Sequence, residues 1–343
     1  MWKQKVNNLL SRTIGYELTR PAAHRDWRLP QLDGQRLLRA PVFVLSAARS
    51  GSTLLRAILG SHSALYAPPE IPLMHMKVTA ETKWIEASLK ALHLTPQDLQ
   101  YMLWDRVLAD ALARSEKPTI VVKTPANVLA WDKIAQCWPD ARFIFLLRHP
   151  AAATASLHTS WHPEWHPGEA GVYEETVAKG LRYMSKVEEA RTALPGHTIR
   201  YEDLTANPES SIRDLCESLK VPFEATMLNY GQRFSASQFA PGLGDASAKI
   251  RSGQIQQAAP PPDAADVPAA LRGIAAAWGY LEPGQAEPAA VPPGPEGPAE
   301  FPAEPDEFAA EPDEFPAEPD EFSGADEPDA ALQDLGEVPQ ASN

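Results

Sequence analysis

Eight consecutive residues, Ser46-Ala47-Ala48-Arg49-Ser50-Gly51-Ser52-Thr53, combine hydroxyls, small side chains and one permanent cation. They follow the apolar run Pro41-Val42-Phe43-Val44-Leu45 and precede residues 52–59, in which Leu54, Leu55, Ile58 and Leu59 recur at helical spacing. The run suits a buried parallel strand and the second segment a helix, so the small residues lie where one turns into the other. At such a junction free backbone amides and the positive end of the helix dipole converge, and small residues let a phosphate approach the main chain. Arg49 adds a charge, and Ser50, Ser52 and Thr53 add donors. The segment reads as an anion cradle, with an ordinary capped helix as the plainer alternative. It is not a nucleoside triphosphatase loop, because the G-x-x-x-x-G-K-[ST] spacing and its lysine are absent.

A second constellation repeats the logic. Phe143-Ile144-Phe145-Leu146-Leu147 reads as another buried strand that delivers Arg148 at its end, followed by His149 and Pro150. Ser156, eight residues after Arg148, falls early in the next helix. Together Arg148 and Ser156 can hold a second phosphate.

These groups need a scaffold that brings strand ends together. Strands are expected at 41–45, 119–122, 142–147 and 198–201, separated by segments long enough for crossover helices, and helices at 81–116, 173–194 and 207–220. That alternation predicts an α/β, P-loop-like three-layer sandwich around a central parallel sheet, with ligand sites at the carboxyl ends of its strands. Residues 1–36 read as an N-terminal helical extension, with Val6, Leu9, Leu10 and Ile14 on one face; it serves either as a docking element or as an arm packed on its own domain. Residues 37–282 form the main domain. From 283 onward Pro, Ala, Glu and Asp dominate, and 302–308, 309–315 and 316–322 repeat a seven-residue unit ending Glu-Pro-Asp-Glu-Phe. A proline in every unit excludes a coiled coil, so 283–343 are expected to be a disordered acidic tail, either inert or offering its phenylalanines to a weak protein partner.

The tail also explains the charge. Seventeen of the 45 acids lie between Glu287 and Glu337 and no base follows Arg272, so the 31 bases face only 28 acids before the tail. The formal net charge of −14 therefore does not argue against an anionic ligand in the main domain. Nothing in it suggests nucleic-acid binding. Two cysteines, Cys137 and Cys216, lie in apolar helical segments and indicate no disulfide framework. No stretch approaches the roughly 20 apolar residues of a spanning helix, and no export signal is evident, so a cytoplasmic protein with no membrane partner is expected.

Ala48-Arg49-Ser50-Gly51-Ser52-Thr53-Leu54-Leu55, with Arg148-His149-Pro150 and Ser156, resembles the sulfotransferase family. Ala67-Pro68-Pro69-Glu70-Ile71-Pro72, Lys123-Thr124-Pro125-Ala126-Asn127, the 139–143 lead into a strand and the 201–209 segment are similar too, in family order over about residues 40–280. The resemblance implies transfer of a sulfuryl group from 3'-phosphoadenosine 5'-phosphosulfate to an acceptor hydroxyl, releasing adenosine 3',5'-bisphosphate without a metal. It implies that Arg49, Ser50, Gly51, Ser52 and Thr53 hold the 5'-phosphosulfate, Arg49 also stabilising the developing charge, and that Arg148 and Ser156 hold the 3'-phosphate. Lys249 and Arg251, in Lys249-Ile250-Arg251-Ser252-Gly253, fall where relatives close a basic loop over that phosphate; a solvated basic loop is the alternative.

For the base, the histidine and glutamate positions used by cytosolic and glycosaminoglycan-type relatives hold Pro125 and Val122. Glu70 instead matches the glutamate of tyrosylprotein and polyketide-pathway sulfotransferases, stiffened by Pro68 and Pro69. Lys123 would then stabilise the sulfuryl oxygens. Residues 157–168 are expected as an acceptor-side loop, with His158 as a reserve base; Pro163 and Pro167 argue against a metal-binding helical face for His158, His162 and His166. A hydroxylated small metabolite, a carrier-bound acyl chain, a sugar and a peptide tyrosine all remain open as acceptors. Two other classes compete: a nucleotide-dependent phosphotransferase, which needs a magnesium-holding acid and the missing lysine, and a non-catalytic scaffold presenting the phenylalanine repeats.

Overall fold

The computed structural model describes residues 36–161, 170–233 and 247–282. In chain order its main elements are β1 (Val42–Ser46), α1 (Ser52–Gly60), β2 (Leu65–Tyr66), α2 (Lys83–Ala91), α3 (Pro96–Ala113), β3 (Thr119–Lys123), α4 (Trp131–Cys137), β4 (Arg142–Leu147), α5 (Pro150–Trp161), α6 (Ala170–Ala193), β5 (Gly196–Arg200), α7 (Tyr201–Ala206), α8 (Pro208–Ser218), α9 (Ala248–Arg251) and α10 (Ala269–Ala277). The proposed N-terminal extension up to residue 35 and the repeats after 282 lie outside the described residues.

All strand pairs are parallel, in the order β2-β3-β1-β4-β5, with Val44 of β1 opposite Lys123 of β3 and Ile144 of β4. The continuous apolar runs of β1 and β4 follow from burial on both faces. Their side chains alternate between two cores. Phe43, Leu45, Ile120, Val122, Phe143, Phe145 and Leu147 pack with Tyr101, Trp104 and Leu108 of α3 and with Met184 and Val187 of α6. Val42, Val44, Val121, Ile144, Leu146 and Ile199 pack on the other face against Leu55, Ile58 and Leu59 of α1 and Ile212 and Leu215 of α8. The result is a three-layer α/β/α sandwich, as expected. Each fully buried Leu or Ile of α1 contributes about 1.5–3 kcal/mol by removal from water, which fixes that helix, and therefore its N-terminus, against the sheet.

The single helical stretch expected at 81–116 is two helices. The first ends where His93 takes φ 58° and Leu94 N–H bonds back to Leu89 O at 2.9 Å. The second starts at a capping box, in which Asp98 N–H donates to Thr95 Oγ1 at 3.2 Å and Thr95 N–H to Asp98 Oδ2 at 2.7 Å, with Pro96 in the first turn.

Candidate active site

At its carboxyl end every strand of the sheet leads into residues that meet in one region. Because β3 lies on one side of β1 and β4 on the other, the chain reverses direction across the sheet at β1, and the crevice at the carboxyl ends there is where α/β sheets bind ligands. β1 runs into the Ser46–Thr53 loop, β3 ends on Lys123, β4 is followed by Arg148, β2 leads to the turn carrying Glu70, and β5 leads to Tyr201 and Glu202.

The β1 loop is shaped by two left-handed residues, Arg49 (φ 61°) and Gly51 (φ 85°). A non-glycine residue in that region carries strain, which suits a functional loop. Gly51 is required for a second reason: a Cβ there would lie 2.3 Å from Tyr201 Cδ2. Gly51 caps α1 without any side-chain hydrogen bond, so the amides of the first turn are not covered by their own cap. Ser46 and Ser50 are 0% and 1% exposed, yet Ser46 Oγ and Ser50 Oγ have no hydrogen-bond partner among the described residues. Buried, unpartnered hydroxyls in a strand-to-helix loop fit an anionic ligand whose oxygens would accept from them.

Arg148 and Ser156 join this loop. Arg49 Nε donates to Ser156 Oγ at 3.3 Å, and Arg148 Nη1 donates to Arg49 O at 2.7 Å. The guanidinium of Arg148 lies 4.8 Å from the centre of the Tyr201 ring, in cation–π range. Burial lowers the pKa of Arg148, opposed by Tyr201 and Glu202 and joined by Arg49.

Glu70 and Lys123 form an ion pair whose side chains are 14% and 0% exposed, and Lys123 Nζ also reaches Thr53 Oγ1 at 3.5 Å. The turn that holds Glu70 is pinned on three sides. Ile71 N–H donates to Thr124 Oγ1 at 2.8 Å, Asn127 Nδ2 donates to Ile71 O at 2.9 Å, and Arg56 Nη1 donates to Pro68 O at 3.0 Å. Arg56 is fully buried; burial lowers its pKa, and the charge of Glu70 opposes that shift.

Two sequence expectations need correction. Residues 157–161 are not loop but the last turn of α5, and His158 is buried there, its Nδ1 3.1 Å from Thr176 Oγ1 and its ring edge-on to Tyr173 at 5.1 Å. Pro163 and Pro167 argued against a helix through this stretch, but both lie beyond Trp161, where α5 ends, so they do not bar a helix at 157–161. His162 and His166 lie outside the described residues, and among the described residues no group of three metal-type ligands occurs. Lys249 and Arg251 lie on the single helical turn α9 rather than in the expected basic loop, and both are exposed; their buried neighbour Ile250 accepts from Tyr230 through its carbonyl at 2.8 Å.

Arg56, Tyr280 and Glu202 were not picked out from the chain as site residues. Arg56 was readable as the one charge inside an apolar helix segment; Tyr280, far along the chain from the anion loop, gave no such signal.

A sequence model of the sulfotransferase family matches residues 41–225. This chain belongs to the sulfotransferase family. The match takes in the whole of the sheet and each strand end just described. The chain is 32% identical over 214 residues to an uncharacterized protein of Aquifex aeolicus, across 56% of this chain and 27% of that one. It is 23% identical over 200 residues to protein-tyrosine sulfotransferase 1 of Danio rerio, across 55% of each. The chain thus spans between about a quarter and just over half the length of these relatives. Among solved structures, the sulfotransferase domain of the olefin synthase of Synechococcus PCC 7002 superposes with a TM-score of 0.50 at 21% identity, over 76% of this chain and 100% of that one. That likeness is one of fold.

Proposed function

We propose that this sulfotransferase moves a sulfuryl group from 3'-phosphoadenosine 5'-phosphosulfate to an acceptor hydroxyl, with Glu70 as general base. The observation that carries the reading is the convergence at the strand ends of two linked anion arms and one carboxylate–ammonium pair that touches the first arm through Thr53. In this reading Arg49, Ser50, Gly51, Ser52 and Thr53 would hold the phosphosulfate, and Arg148 and Ser156 the 3'-phosphate. Lys249 and Arg251 would add long-range attraction. The bound phosphosulfate supplies the sulfuryl group: a sulfur–oxygen bond to the acceptor forms as the bond to the 5'-phosphate breaks, releasing adenosine 3',5'-bisphosphate.

The chain's own work is positional and electrostatic. Glu70 takes the hydroxyl proton from a turn that three hydrogen bonds hold in place. Lys123, hydrogen-bonded to the base and to the loop, fixes their separation and offers positive charge where negative charge develops. His158 is engaged by Thr176 and Tyr173, which favours Glu70 over it. The name of the Danio rerio relative makes a peptide tyrosine the first acceptor to try, ahead of sugars, carrier-bound acyl chains and small metabolites.

Glu70→Gln tests the assignment. The amide keeps an oxygen for Lys123 but cannot take the proton, so turnover falls about 10²- to 10⁴-fold while affinity for adenosine 3',5'-bisphosphate is nearly unchanged. His158→Asn has a mild effect on turnover. A normal Glu70→Gln enzyme beside a dead His158→Asn enzyme reverses the choice of base and leaves the cofactor site standing.

A further inference from the structure

The second anion arm does not stand alone. Glu202, in the first turn of α7, accepts from the backbone N–H of His149 at 3.0 Å through Oε1, and from the phenol of Tyr280 at 2.7 Å through Oε2. His149 is the residue after Arg148 and is 2% exposed, with its ring edge-on to Tyr280 at 5.1 Å. Tyr280 belongs to the segment after α10, and that segment is itself fastened: Arg200 Nη2 donates to Trp278 O at 2.6 Å, Trp278 Nε1 donates to Glu188 Oε2 at 2.9 Å, and the Arg200 guanidinium lies 4.9 Å from the Tyr280 ring centre. Burial, followed by the nearby Glu202 carboxylate, raises the pKa of Tyr280, so the phenol keeps the proton it donates.

A carboxylate close to Arg148 is a poor choice for an anion site unless it does something else. Glu202 spends both oxygens on neutral donors, His149 N–H and Tyr280 O–H, and so fixes where the chain turns from β4 into α5. That turn sets the direction from which Arg148 leaves the backbone. Tyr201, the preceding residue, supplies the ring beneath Arg148 and the surface against Gly51. One dipeptide after β5 therefore touches both arms, and the Trp278–Tyr280 segment holds it from behind.

We propose that Glu202 and Tyr280 are positioning residues for the 3'-phosphate arm: the segment that closes the described domain, acting through Glu202 and His149, sets how strongly Arg148 grips the 3'-phosphate and therefore how well the site distinguishes nucleotides that carry it. This rests on the assignment of Arg148 to that phosphate. A guanidinium held in one orientation keeps the directional part of its hydrogen bonds, whereas a loose one keeps only part of the charge attraction.

The test is calorimetric titration of the full-length chain with adenosine 3',5'-bisphosphate and, separately, adenosine 5'-phosphate, for wild type, Tyr280→Phe, Glu202→Gln and Arg148→Ala. Tyr280→Phe removes one hydroxyl and keeps the ring against His149, so it is the variant expected to fold unchanged. The expected result is a loss of bisphosphate affinity of about threefold or more in Tyr280→Phe and about tenfold in Glu202→Gln, with monophosphate affinity held within about twofold. The preference for the bisphosphate then narrows in the direction of Arg148→Ala. An equal loss for both nucleotides, or an unchanged preference in both variants, overturns the inference. A wild-type protein that binds both nucleotides equally, or an Arg148→Ala protein that keeps the preference, removes the 3'-phosphate assignment itself, a different failure that the same titrations identify.

Discussion

Arg148 is packed rather than free to swing, with Arg49 O in front of it and the Tyr201 ring on its face. Arg148→Ala is expected to weaken adenosine 3',5'-bisphosphate binding by about 1.5–3 kcal/mol, or roughly 10- to 150-fold. Ser156→Ala removes one hydroxyl, and also the acceptor for Arg49 Nε, and is expected to cost less. Calorimetric titration measures both. The neighbouring His149 gives a pH signature. Its pKa is lowered by burial, which outweighs the opposing charge of Glu202 and is joined by Arg148. A histidine whose folded pKa lies below its unfolded value binds its proton more readily when unfolded, so the folded state loses stability as pH falls through the ordinary 6.5 toward the lower folded value. His197 shifts the same way, also through burial. Melting temperature is therefore expected to fall between about pH 7 and pH 5, with a shallower slope in His149→Asn; an unchanged slope assigns the acid sensitivity elsewhere.

Helix α1 does two jobs from one rigid body. Its N-terminus presents the anion loop, and Arg56, on its buried side, holds the Glu70 turn through Pro68 O. The spacing between the anion loop and Glu70 is therefore set largely by a helix whose residues 52–59 are all buried. Arg56→Met removes that hold; with Glu70 as the proposed base, its displacement by an ångström is expected to lower turnover about 100-fold. Nucleotide affinity, which the proposed reading assigns to the other end of the helix, should change little. Arg56→Lys keeps the charge and should recover part of the rate. Equal losses in turnover and nucleotide affinity would mean that Arg56 supports α1 generally rather than the turn. In a Glu70→Gln background the Arg56→Met effect on turnover should largely disappear, since its route to the reaction is through that carboxylate.

At the scale of the whole molecule, each face of the sheet hides one thiol. Cys137 belongs to the α3/α6 side and Cys216 to the α1/α8 side, and burial pushes their pKa values up to about 12 and about 11. Thiols so protonated and enclosed react slowly, so neither is expected to be alkylated at neutral pH until its layer opens. A chain shortened to end at 282 is expected to keep both thiols protected and to melt at the same temperature, because both thiols and the two cores that enclose them are built from residues before 283. Mass spectrometry after iodoacetamide treatment reads out each layer separately. Rapid labelling in the shortened chain would show that the acidic segment supports the core.

The order of apolar runs and small-residue turns determined the α/β class, four of the five strands and the placing of Arg49 and Arg148 just after strand ends, because buried parallel strands and strand-to-helix turns are local patterns in a chain. The two-residue β2 carries too few residues to register as a pattern, and the break between α2 and α3 depends on a single left-handed residue. Glu70 came from its likeness to relatives, since no local signal separates a site glutamate from one in a surface turn. Only the tertiary structure joined Glu70 to Lys123 across 53 residues, Arg148 to Arg49 across 99, and Tyr280 to Glu202 across 78. It also moved His158 from an expected loop into a packed helix. Such contacts are fixed by strand order and by which helix face the core covers, and neither quantity is a property of any short window of the sequence.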